Sequence, residues 1–284
     1  MWTSERTDSN VVTVRMTADK MGWEQRFLLR ADAHHDNPQC RRDLELQHLK
    51  EAVECGAGII DIGDLFCAMQ GRADRRSDKS YLDPKFCDGD FFDAIINDAD
   101  NFYGEYANNF VQLSMGNHET AVRKHNETNL TKRLVRRLNS KSDHEIFMGG
   151  YSGWIRFCFT HNKTANCSKS MWYIHGYGGG GPVTEDMIQS NRQRVVIKSD
   201  IMASAHVHRA WQQDYETIHL NHNGAVERRQ GIYIKVPIYK DEWDDGSAGH
   251  AVERFHGPRP LGAWWLIFRY NQRKRISIDV ARAR

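Results

Sequence analysis

The chain has 284 residues, enough for one large domain or two small ones, and its 40% hydrophobic and 27% charged residues exclude a disordered polymer. A net charge of +2 is too small to argue for nucleic-acid binding from bulk electrostatics. No apolar run approaches the roughly 20 residues of a membrane-spanning helix. The longest, Ala263 to Phe268, stops at Arg269, so no membrane partner is expected.

Met1 to Asp8 is polar and acidic where a secretory signal would place an apolar stretch. The six cysteines (Cys40, Cys55, Cys67, Cys87, Cys158 and Cys167) show no Cys-x-x-Cys spacing. Both observations point to a cytoplasmic protein with reduced thiols.

The predicted elements begin with Phe27-Leu28-Leu29-Arg30, a short apolar strand that ends at Asp32. Arg42 to Cys55 places Leu44, Leu46, Leu49, Ala52 and Val53 largely on one helical face and stops at Gly56. Gly58 to Ile62 is a strand of the fully buried type, ending at Gly63-Asp64. A helical stretch over Asp90 to Asn108 leads to a strand over Phe110 to Ser114, which ends at Gly116-Asn117. A further helix covers Thr131 to Leu138. From there Tyr151 to Thr160, Met171 to His175, Asp200 to Ala205, Gly231 to Tyr239 and Trp264 to Val280 read as strands, with one helix near Glu185 to Val196. Strands alternating with helices first, and mostly strands afterwards, predict a layered α/β protein with two sheets. There is no internal repeat or long linker, so a single domain over 1–284 is expected, with 209–284 completing the second sheet.

The informative pattern is where polar residues sit relative to those strands. Asp32-Ala33-His34, Gly63-Asp64, Gly116-Asn117-His118-Glu119, His175-Gly176 and His206-Val207-His208 each follow a predicted strand. In open α/β sheets the ligand site lies beyond the carboxyl ends of the strands, where loops from distant parts of the chain converge. Carboxylate, imidazole and amide oxygen together suit manganese first, with iron, zinc or nickel as alternatives. No cysteine joins the set, which argues against a structural zinc site.

The ordered series DxH, GD, GNHE, HG, HxH, over positions 32 to 208, resembles the calcineurin-like metallophosphoesterase superfamily. The resemblance implies an α/β fold, a four-layer αββα sandwich with two mixed sheets, and two divalent metal ions. Asp32, His34, Asp64 and His208 would surround one ion, and Asp64, Asn117, His175 and His206 the other, with Asp64 bridging. His118 would bind no metal and would assist the leaving oxygen, while a metal-bridging hydroxide attacks the phosphate. The implied activity is hydrolysis of a phosphate ester, with a phosphodiester (nucleic acid or nucleotide) favoured over a monoester. A phosphomonoesterase or a non-catalytic metal-binding scaffold is the alternative.

Three departures from the pattern matter. Ala205 stands where relatives have Gly before the first His of HxH. Cys67 stands where many relatives have an Asp that orients the catalytic His, which leaves open how His118 is held. The Asp-Arg-Gly run of the Ser/Thr protein phosphatases does not follow Asp64, and this disfavours a phosphoprotein substrate.

Any one Asp or His here has a structural reading as a strand-ending or half-buried residue. His35 reads as a neighbour of the site. His161 ends a strand too and competes with His175, which is preferred because Gly176 lets the backbone crowd a metal site. His48, His125, His144, His219, His222, His250 and His256 are expected at the surface. Arg72, Arg75 and Arg76, in the loop leaving Asp64, are candidate substrate-phosphate ligands, with Tyr81 or Phe86 stacking a base. Trp264-Trp265 reads as core or as a partner surface, and the oligomeric state is not legible.

Overall fold

The computed structural model describes residues 2–70, 82–86, 90–161, 165–179, 181, 183–244, 246–247, 250–271 and 276–283. The strands are β1 (Trp2–Asp8), β2 (Val11–Thr17), β3 (Glu24–Arg30), β4 (Gly58–Asp61), β5 (Phe110–Leu113), β6 (Phe147–Met148), β7 (Ser152–His161), β8 (Ala165–Ile174), β9 (Ile201–Ser204), β10 (Trp211–Leu220), β11 (Val226–Lys235), β12 (Ala263–Tyr270) and β13 (Ile276–Ala283). The helices are α1 (Arg42–Glu54), α2 (Phe91–Tyr103), α3 (Asn117–Asn126), α4 (Leu130–Asn139), α5 (Met187–Val196) and α6 (His250–Glu253).

The strands form two mixed sheets, one in the order β1-β2-β7-β8-β9-β11-β10 and the other β13-β12-β3-β4-β5-β6. Side chains alternate across a strand, so a strand buried on both faces reads as a continuous apolar run. β12 shows this directly. Ala263, Trp265 and Ile267 join a core under the helices, whereas Trp264, Leu266 and Phe268 join a second core between the sheets. The two tryptophans are therefore core residues and not a partner surface.

The helix-side core sets Leu49 and Ala52 of α1, Ile95, Ile96 and Ala99 of α2, and Leu134 and Leu138 of α4 against the six-stranded sheet. The inter-sheet core sets Val14, Phe157, Phe159, Met171 and Ile234 against Phe27, Leu29, Ile60 and Val111. On the outer face of the seven-stranded sheet a small cluster of Trp172, Met202 and Tyr233 packs with Ile197, which caps α5. The order helices, sheet, sheet, helix is the αββα sandwich, and no helix among the described residues is long and apolar enough to cross a membrane.

Several expectations are corrected. The polar N-terminus forms the antiparallel pair β1–β2, with β2 running parallel to β7. The Asp90 to Asn108 stretch is α2 followed by a 3-10 turn over Gly104–Asn109. Trp264 to Val280 is two antiparallel strands, β12 and β13. Residues 209–284 divide between the sheets: β10 and β11 extend the seven-stranded sheet, and β12 and β13 the other. This division follows from β12 pairing with β3, which places the Ala263–Phe268 run at the centre of the molecule. His48 is buried on α1 with its Nδ1 2.8 Å from the Tyr239 hydroxyl, not at the surface. Phe86 packs in the helix-side core, which removes it as a base-stacking residue.

Candidate metal centre

The parallel strands β3, β4 and β5 present their carboxyl ends side by side, and β8 and β9 do the same in the other sheet. Asp32 and His34 follow β3, Asp64 follows β4, and Asn117 and His118 open α3 just after β5. His175 follows β8, and His206 and His208 follow β9. The two sheets thus deliver all eight sequence-identified residues to one edge.

Among the described residues three groups of side chains bring donor atoms within 4.8 Å of one another: first Asp32, His34 and His208, second Asp64, His175 and His206, and third His34, Cys67 and His118, so a cysteine does reach this edge. Asn117 lies in the second group, its Oδ1 3.1 Å from His175 Nε2 and 2.7 Å from His206 Nδ1. Asp32 Oδ1 stands 3.6 Å from His208 Nε2 and 3.9 Å from the Nε2 atoms of both His34 and His175. Asp64 Oδ2 lies 3.0 Å from His175 Nε2 and 3.8 Å from His118 Nε2.

These groups are short of protons to share. His175 Nδ1–H donates to the Ile62 carbonyl at 3.1 Å, which aims Nε2 at the oxygens of Asp64 and Asn117. A neutral imidazole there presents a lone pair to two oxygens, so the arrangement requires either a proton or a cation. Burial opposes the proton, but Asp64 and Asp32 push His175 up to about 9. In the other group Asp32 Oδ1 and both ring nitrogens of His34 are buried without a hydrogen bond. Native proteins rarely leave buried polar atoms so. Unpartnered carboxylate and imidazole atoms converging from two sheets are donors that could hold a metal ion.

The backbone carries a second signature. Asp32 (φ 49°), His34 (φ 47°), Asp64 (φ 54°), His206 (φ 72°) and His208 (φ 56°) all adopt the left-handed region. Such residues each cost about 1 kcal/mol or more and gather at functional sites. Two glycines make room for them. A Cβ on Gly116 would press on the Asp64 carboxylate, and Gly176 (φ 132°) would set one 2.7 Å from His206 Cβ. Ala205 needs no such room and packs into the inter-sheet core.

His118 is held without a second aspartate. Its Nδ1 lies 2.5 Å from the Cys67 carbonyl, which can only accept, so Nδ1 carries a proton and Nε2 faces the centre. The Cys67 peptide is itself clamped, because the Asp36 carboxylate accepts from Cys67 N at 2.6 Å and Ala68 N at 2.8 Å. The Cys67 thiol, close to His34 and His118, is pushed up to about 12 by burial and by Asp36, so it stays protonated. Glu119 accepts from the amides of Gly116 (2.8 Å), Phe66 (2.9 Å) and Asp64 (3.2 Å) and ties the GD turn to the start of α3.

His208 Nδ1 lies 3.2 Å from Glu242 Oε2, and Glu242 Oε1 accepts from Lys240 at 3.3 Å. A carboxylate on the far ring nitrogen of a metal-binding histidine fixes its orientation. The Tyr151 ring stands edge-on to His175 at 5.6 Å, and its hydroxyl donates to the Gly176 carbonyl at 2.5 Å.

His161 sits elsewhere, buried against Ala18 O and Cys167 Sγ, so the competition with His175 ends in favour of His175 as the residue at this edge. His35 is also outside the centre, 3.0 Å from Asp98. Arg72, Arg75, Arg76 and Tyr81 lie outside the described residues. Sequence reasoning missed Asp36, Lys240 and Glu242 and assigned no role to Glu119. For Glu119 the signal was its place in GNHE, while Lys240 and Glu242 carry no local signal.

No family model and no curated protein sequence matches the chain. Among solved structures it is similar to Vps29 of Chaetomium thermophilum at 8% identity, over 91% of this chain and 95% of that one, with a TM-score of 0.34. It is also similar to GAP50, the anchor in the inner membrane complex of Plasmodium, at 10% identity, over 92% and 85%, with a TM-score of 0.44. A metallophosphoesterase from Sphaerobacter thermophilus is 11% identical over 91% and 88%, with a TM-score of 0.34. At such identities and TM-scores no residue's role follows from the likeness.

Proposed function

We propose that the chain hydrolyses a phosphate ester at two divalent cations. Asp32, His34, Asp64 and His208 hold one of them, and Asp64, Asn117, His175 and His206 the other. The observation that carries this reading is the pair of buried donor groups, with Asp32 Oδ1 and the His34 nitrogens left without hydrogen bonds. Bound cations at such a site lower the pKa of water toward neutrality and offset charge on phosphoryl oxygens. Manganese is the first choice, with iron, zinc or nickel as alternatives.

The chain's own residues do the rest. His118, with Nδ1 committed to the Cys67 carbonyl, has Nε2 free to give a proton to the departing oxygen. Asp36 keeps that carbonyl in place, and Glu119 keeps Asp64 in its left-handed turn. Glu242 orients His208. A phosphodiester is the favoured substrate, because the run that marks protein phosphatases is missing after Asp64. Arg72, Arg75 and Arg76 are proposed to hold substrate phosphate.

The test is hydrolysis of bis(p-nitrophenyl) phosphate against p-nitrophenyl phosphate with each metal, in wild type, Asp64→Ala and His118→Ala. Metal-dependent turnover lost in both variants, with the diester preferred, is the expected result. A folded protein that binds two ions and turns over neither reporter would leave a metal-binding scaffold instead.

A further inference from the structure

Two arginines outside the donor groups, Arg209 and Arg259, share the same few acids. Arg209, the next residue after His208, pairs through Nη1 with Glu185 Oε1 at 3.2 Å. Arg259, in the segment after α6, has its Nε and Nη1 shielded from solvent with no hydrogen-bond partner. Leu261, two residues after Arg259, bridges Ile238 on the stretch that leads to Lys240 and Glu242, and the charges of Arg209, Glu242 and Glu185 act on Arg259. Both acids are already engaged, since Glu242 gives one oxygen to His208 and the other to Lys240, and Glu185 holds Arg209.

Buried N–H groups that lack an acceptor cost about 1–3 kcal/mol, more when charged. A guanidinium beside a like charge adds to that cost. Burial, and then the Arg209 charge, pull Arg259 below the ordinary guanidinium range, and an anion between the two arginines would relieve both. The planar fork of arginine suits a phosphate or pyrophosphate oxygen pair.

We infer that Arg209 and Arg259 form an anion site on the His208 flank of the metal centre, where they receive a second phosphate group of the substrate. The proposal rests on the phosphoesterase reading and narrows it to ligands with two linked phosphates, such as pyrophosphate diesters. The site is contributed by the part of the chain after β9, outside all five strand-end motifs. It supplies substrate contacts independent of the Arg72 to Arg76 loop.

The test compares kcat/KM for ADP-glucose, a pyrophosphate diester, and bis(p-nitrophenyl) phosphate, a single-phosphate diester, in wild type, Arg259→Met and Arg259→Lys. Melting temperature and bound metal are measured alongside. Arg259→Met is expected to lower the ratio of the two kcat/KM values roughly 10–100-fold, mostly through KM for ADP-glucose, with partial recovery in Arg259→Lys. An unchanged ratio in a folded, metal-loaded variant overturns the proposal, because it would mean that water satisfies Arg259. If wild type hydrolyses neither compound, the phosphodiesterase reading fails and the anion site is judged alone, by titrating inorganic pyrophosphate into metal-depleted protein. Binding that weakens at least roughly tenfold in Arg259→Met keeps the site. Equal binding in both proteins, or none in wild type, removes it.

Discussion

Two buried polar regions lie back to back behind the carboxyl ends of β3 and β4, and they are built on opposite plans. In the first, Arg30 is fully enclosed, yet its guanidinium meets Glu45 at 2.6 Å, Asp61 at 2.9 Å and the rings of Tyr103 and Tyr239 at 5.3 Å. In the second, Asp32 Oδ1 and both His34 nitrogens have no hydrogen-bond partner, and the backbone of Asp32, His34 and Asp64 is left-handed. The first region pairs its cation with carboxylates of its own, and its Asp61 accepts the Gly63 amide and so steadies the turn that carries Asp64. The second holds donor atoms that could take a cation. Burial of charge is therefore not by itself a sign of a site; the sign is charge and strain left uncompensated.

Asp64→Ala should break this contrast most severely. Turnover should fall on the order of 10³-fold or more, and the stabilisation that saturating manganese gives wild type should shrink. Metal titration followed by thermal melting, together with initial rates, reads both effects. Arg30→Met should do the reverse, costing roughly 3–5 kcal/mol of stability by leaving Glu45 and Asp61 unpaired, while bound metal per folded chain stays at the wild-type value. Urea unfolding and metal analysis separate the two outcomes.

His118→Ala sharpens the contrast from within the site. It should lower kcat about 10²-fold and leave metal content unchanged, since the residue is proposed to act on the leaving group and not on the ions. Loss of an ion in this variant would reassign it as a ligand. Asp36→Asn tests the clamp on the Cys67 peptide. An amide oxygen replaces only one of the two carboxylate acceptors, and kcat should drop about tenfold with an altered pH profile and little change in KM. An unaltered pH profile would reduce Asp36 to a structural residue.

The mildest effect is in acid. Burial raises Glu45, but Arg30 outweighs it and brings the folded-state value down to about 2 from the usual 4.5. A carboxylate depressed in this way adds stability that is present above pH 4.5 and lost as pH falls toward 2. Melting curves of wild type should steepen across that window, and Glu45→Gln should flatten them.

The candidate site was legible because the chemistry of a strand-end Asp or His is local and loops beyond parallel strands converge. Choosing Asp32, His34, Asp64, Asn117, His175, His206 and His208 as candidate ligands, and setting His118 apart from them, rested on the resemblance carried by the order of the five motifs. What escaped depends on long-range packing. Nothing near Glu242 announces that β11 will return its chain to His208. Nothing near Asp36 shows that its carboxylate will hold the Cys67 amide 31 residues away. His48 looked like a surface residue because its hydrogen-bond partner, Tyr239, lies 191 residues further on. Two sheets with helices were legible from periodicity, and the four-layer order only through the resemblance; the β1–β2 hairpin was not, because β1 is mostly exposed and polar. The split of residues 209–284 between the sheets was hidden too, since an apolar run does not say which sheet it enters.

Each donor group draws on both sheets. Asp32 and His34 come from the six-stranded sheet and His208 from the other, while Asp64 and Asn117 come from the first and His175 and His206 from the second. An ion held by either group would therefore be a rivet across a seam that hydrogen bonds also cross at this edge, among them His206 N to Asp32 and His175 Nδ1 to the Ile62 carbonyl. Loading the ions should make the two sheets melt as one cooperative unit, and stripping them should let amides of β8 and β9 exchange with solvent before those of β3 and β4. The catalytic centre would then also set the mechanical coupling of the sandwich, with metal supply regulating how firmly the two halves are joined.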